Sequence, residues 1–112
     1  MTDFDQARAA HTALKEFFAR HPKGRLERDA LDDVYALCKE AATAVGDDEC
    51  KEALRKIQSY SLMLCCSEPP RGTDFVRLRV QNALATFRSK LRAAEADYQQ
   101  SSHTWPMQCE MS

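Results

Sequence analysis

The chain has 112 residues and a mass of 12.7 kDa, room for one core, and its 44% hydrophobic and 29% charged residues are ordinary for a globular protein. Three glycines and four prolines among abundant Ala, Leu, Arg and Glu argue against sheet, so the expected fold class is all-α. A net charge of −1 excludes an overall field that would gather nucleic acid or anionic membrane.

The opening "MTDFDQARAAHTALKEFF" carries acids first and lacks the apolar core of a signal peptide. Its Phe4, Ala7, His11, Leu14, Phe18 and His21 recur at three and four, widened by Ala10 and Phe17. This is an amphipathic helix that Thr2 or Asp3 can cap and that "HPKG" ends, because Pro22 disfavours helix at His21 and Gly24 supplies a turn. A second helix is expected from about Leu26 to Val45, with Leu31, Val34, Cys38, Ala41 and Val45 on its core line. In "VGDDE" a glycine stop is followed at once by an aspartate cap, which predicts a tight helical hairpin.

The third helix buries Cys50, Ala53, Leu54, Ile57, Tyr60, Ser61 and Leu64. Its last turn, "YSLMLCC", adds Leu62, Met63 and Cys66 on the opposite side, so that turn is apolar all round. "SEPPRGTD" then breaks the chain. Thr73 or Asp74 caps a last helix whose core line is Val76, Val80, Ala83, Leu84, Phe87, Leu91, Ala94 and Tyr98. On its outward face, where charge is expected, Leu78, Asn82, Ala85, Ser89, Ala93 and Ala96 form a second, small-residue seam. The expected architecture is a single-domain, up-down-up-down four-helix bundle over residues 1–100, with a short flexible C-terminal tail, "SSHTWPMQCEMS", at 101–112.

Charge is unevenly spread along this framework. Residues 26–52 hold nine acids against three bases, and residues 71–92 hold six bases against Asp74 alone. The expected arrangement is that the two segments neutralise each other, within the fold or across a dimer. Arg77 and Arg88 on one shoulder of the last helix, with Arg79 and Lys90 on the other, do not form one basic face, so nucleic acid is at most a weak third candidate.

Motifs for catalysis do not emerge. There is no glycine-rich phosphate loop, no Gly-x-Ser-x-Gly and no Glu-x-x-His, so the chain is read as not an enzyme, with no catalytic residues, metal or cofactor assigned. Five cysteines, an odd number without framework spacing, fit a reducing compartment, and with no stretch near ~18 apolar residues a cytoplasmic chain away from membrane is expected. Cys38 and Cys50 fall on apolar stripes and read as small hydrophobes. An alternative reading makes the chain a thiol sensor or metal-binding protein that uses Cys65 or Cys66 with Cys109 and His103.

The leading expectation is a small interaction protein, an adaptor or a chaperone-like or inhibitor-like bundle, dimeric through the last helix. Its expected interface is Leu62, Met63, Cys66, Phe75 and Leu78 at one end of the bundle, Asn82, Ala85, Ser89 and Ala93 along the last helix, and Trp105 in the tail.

Overall fold

Asp3 starts the first helix, as its position suggests: its Oδ1 accepts the Gln6 backbone N–H at 3.0 Å, satisfying one of the donors that a helix start leaves free. In the computed structural model four helices follow, α1 (Phe4–Arg20), α2 (Arg28–Ala44), α3 (Asp48–Cys66) and α4 (Thr73–Met111). It describes residues 3–66 and 72–111, with side chains placed from 3 to 65 and from 72 to 98. Helix α1 packs on α2 and α4, and α3 packs on the same two, while neither diagonal pair touches among the described residues. This square is the up-down-up-down four-helix bundle.

Each helix turns the expected line inward, except that His21, which caps the end of α1, and Tyr98 of α4 are exposed. Leu14, Phe17 and Phe18 of α1 meet Val34, Cys38 and Ala41 of α2, Leu54, Ile57 and Leu64 of α3, and Val80, Leu84 and Phe87 of α4 in one buried cluster. Ser61, polar but fully buried on the α3 stripe, donates its hydroxyl to the Ile57 carbonyl at 2.7 Å and so leaves no unmet donor.

The connections differ in detail from the expected ones. Gly24 takes the left-handed turn (φ +74°) after α1, but Gly46 has no positive φ. Helix α2 stops because Val45 turns extended (φ −116°, ψ 143°) and buries its side chain, and Asp47 then caps α3 by accepting the Cys50 N–H at 3.1 Å. The α1–α2 link is tied down on both sides. Leu26 N–H donates to the Leu64 carbonyl at 3.1 Å and Arg25 Nη2 to the Cys65 carbonyl at 3.0 Å, so the link caps the end of α3. From α4, Arg77 reaches back and donates to the carbonyls of Gly24 (2.9 Å), Lys23 (3.2 Å) and His21. Burial lowers the basicity of that guanidinium, against the pull of Asp74, and three carbonyls take the place of a carboxylate partner.

Helix α4 is longer than its partners. At 1.5 Å per residue it measures about 58 Å, close to the 61 Å long dimension of the molecule. Among the described side chains its last buried residue is Leu91; Tyr98, expected on the core line, is 65% exposed, with its ring 5.8 Å from that of Phe4 between centroids. Past it the helical backbone runs on to Met111, through the segment whose pattern lapses after Gln100. No helix among the described residues is long and apolar enough to cross a membrane.

Candidate functional site

Two surfaces of α4 depart from an ordinary solvated helix, and they adjoin along Ala85 and Ser89. The first is apolar. Leu78 is 57% exposed six residues into α4, and Leu62 and Met63, at 43% and 36%, close α3 at the same end. Asn82, Ala85, Ser89 and Ala93 continue outward from Leu78, all exposed, as the second seam requires. Phe75 differs from the expected interface residue: it is half-buried, packs on the core and lies under the Arg79 guanidinium at 5.0 Å. The first turn of a helix that carries a core residue at Val76 draws its neighbour in with it. Cys66 and Trp105 lie outside the described side chains.

The second surface is a cleft between α1 and α4. Two adjoining hollows of about 380 and 440 Å³ share His11, Lys15, Arg88 and Arg92. Gln81, Ala85 and Ser89 extend one toward the start of α4, and Arg8, Thr12 and Glu95 extend the other in the opposite direction. Arg8 bonds both Glu95 and Asp5, so that acid is already matched. Among the described residues no carboxylate pairs with Lys15, Arg88 or Arg92.

His11 forms the floor. It is buried, its Nε2–H donates to the Leu84 carbonyl at 3.2 Å, and its ring lies 5.9 Å from that of Phe87. Burial lowers its pKa, the carbonyl bond works the other way, and the charges of Arg88 and Lys15 lower it further. The imidazole therefore senses the cations of the cleft.

The expected neutralisation of the acidic segment by the basic one is corrected within the chain. Helices α2 and α4 sit on a diagonal, and among the described residues no acid of α2 pairs with a cation of α4. Among the described residues one ion pair joins the two segments, Lys90 to Glu49 of α3 at 3.3 Å. The cleft itself was not legible as a site because its cations come from two helices 73 positions or more apart in the sequence, as His11 and Leu84 show. The available signal was the row Arg8, Thr12, Lys15, which places long polar side chains along one shoulder of the α1 core line.

The cysteines divide by burial. Cys38 is fully buried and burial pushes its thiol up to about 12; Cys50 is pushed up to about 12 as well, by burial and then by Asp47 and Glu49. Neither is a thiolate near neutral pH. Cys65 is half-buried against the core, while the side chains of Cys66, His103 and Cys109 lie outside the described residues. Among the described residues no three His, Cys, Asp or Glu side chains converge as metal ligands would.

Comparison of the chain with protein-family models, with curated proteins and with solved structures finds no match in any of the three.

Proposed function

We propose that this chain is a non-enzymatic interaction bundle that self-associates through the outward face of α4 and serves as an adaptor in the cytoplasm. The observation that carries the reading is the apolar end: Leu78, Leu62 and Met63 are large, exposed and at one end of the bundle. Soluble monomers seldom leave such side chains clustered in water. The small residues Ala85, Ser89 and Ala93, exposed in a line beyond Leu78, let a second helix approach closely. Thiols in no framework spacing suit a reducing compartment.

Sedimentation equilibrium on the reduced, untagged chain tests this. The expected result is a dimer that Leu78→Glu or Ala85→Arg converts into a folded monomer. A wild-type chain that stays at 12.7 kDa at every concentration overturns it.

A further inference from the structure

We infer that the α1/α4 cleft is a binding site for a small phosphate-bearing anion, held by Arg88, Arg92 and Lys15 above the ring of His11. Three features carry this. The adjoining hollows, open to solvent and about 380 and 440 Å³ in volume, are large enough for a small molecule. The three cations that line both hollows pair with no carboxylate among the described residues, whereas Arg8 beside them is matched twice. The three are exposed cations that line one cleft from two helices, and an anion placed among them accepts charge-assisted hydrogen bonds from all of them.

The chemistry favours phosphate over a simple apolar guest. Two guanidinium groups four residues apart on one helix, Arg88 and Arg92, project along one side of the cleft, and the Lys15 ammonium faces them from α1. Thr12 and Ser89 supply hydroxyl donors at the margins. Phosphate oxygens could equally come from a nucleic-acid backbone, but that source needs an extended basic track. Here Arg79 stacks on Phe75, Arg77 is spent on the α1–α2 link, Lys90 pairs with Glu49, and the net charge is −1.

The cleft shares Ala85 and Ser89 with the proposed self-association face, so it is tested in a variant changed only outside its lining. Leu78 lies ten residues, about 15 Å, from Arg88 along α4, so the Leu78→Glu variant retains the whole cleft. The test is an NMR titration of the histidine rings in that variant and in the wild type, at low ionic strength, with inorganic pyrophosphate as probe and a short single-stranded DNA as comparison.

Groups facing His11 are Lys15 and Arg8 from its own helix and Arg88, Arg92 and Glu95 from α4. An added anion offsets the cations, so pyrophosphate should move the His11 titration midpoint up toward the ordinary imidazole range. Arg88→Gln, Arg92→Gln and Lys15→Gln should each raise the half-saturating pyrophosphate concentration about tenfold. A His11 midpoint that pyrophosphate does not move overturns the inference, as does an unchanged response in all three variants. Binding of the DNA without binding of pyrophosphate overturns it too, in favour of a nucleic-acid surface.

Discussion

Helix α4 meets α3 and α1 through seams of opposite character. Toward α3 a hollow of about 110 Å³ is lined by the small residues Ala53 and Ala83 together with Lys56, Tyr60, Arg79, Asn82 and Thr86. Toward α1 the rim carries Arg8, Thr12 and Lys15 against Gln81, Arg88 and Arg92, and hollows of about 380 and 440 Å³ remain. The same apolar line of α4 faces the core in both cases. Both rims mix small and long residues. What differs is that buried Ala53 and Ala83 sit at the α3 seam and let the backbones close, whereas Lys15, Arg88 and Arg92 crowd the α1 seam with long charged side chains that hold it open. A cleft can thus be specified by the flanks of a helix with no change to its core.

Substitutions can break that comparison. The largest effect is expected at Ile57, fully buried on α3: Ile57→Ala should cost about 3 kcal/mol in urea unfolding, since the cavity in a closed part of the core cannot collapse. A loss below about 1 kcal/mol would show that the α3 side is as loose as the α1 side. Next, enlarging a residue at each rim should separate the seams. Ala53→Leu should destabilise by about 2 kcal/mol through overpacking, and Gln81→Leu, in the open cleft, should stay within about 0.5 kcal/mol. Equal losses at the two positions would contradict the difference drawn here.

The smallest effect is a pH dependence confined to the α1 seam. Burial lowers the pKa of His11 in the folded chain below its unfolded value of about 6.5. The unfolded chain therefore binds the proton more readily. His11 contributes stability that is fully present above about pH 6.5 and is lost as the pH falls through the folded-state value. His11→Gln should flatten that decline in unfolding experiments between about pH 6.5 and 5. An unchanged slope would mean that the imidazole is better hydrated than its place on the cleft floor implies.

Much of this molecule can be read from residue spacing. The core lines of the four helices, apart from His21 and Tyr98 at their ends, the Asp3 cap and the turn at Gly24 follow from three-four periodicity and from the short list of residues that start or stop a helix. So does the exposure of Leu78, Leu62 and Met63, because a residue opposite a core line has nowhere else to point. Where spacing misleads, a competing contact explains it. Gly46 is not needed in a left-handed turn because Val45 gains more by extending into the core, and Phe75 is drawn inward beside Val76.

The arrangement of charge belongs to the tertiary structure alone. Local sequence determined which side of each helix is apolar, since that depends on residues within a turn or two. It could not determine that α2 and α4 would be diagonal, with no ion pair between them among the described residues. Nor could it bring Lys15 and His11 to Arg88 and Arg92, or turn Arg77 from a shoulder charge into the tie that holds the α1–α2 link. Periodicity is a property of neighbours along one helix. Partnership between flanks is set by which helices pack side by side, and that is decided when four apolar stripes are buried together in a single core.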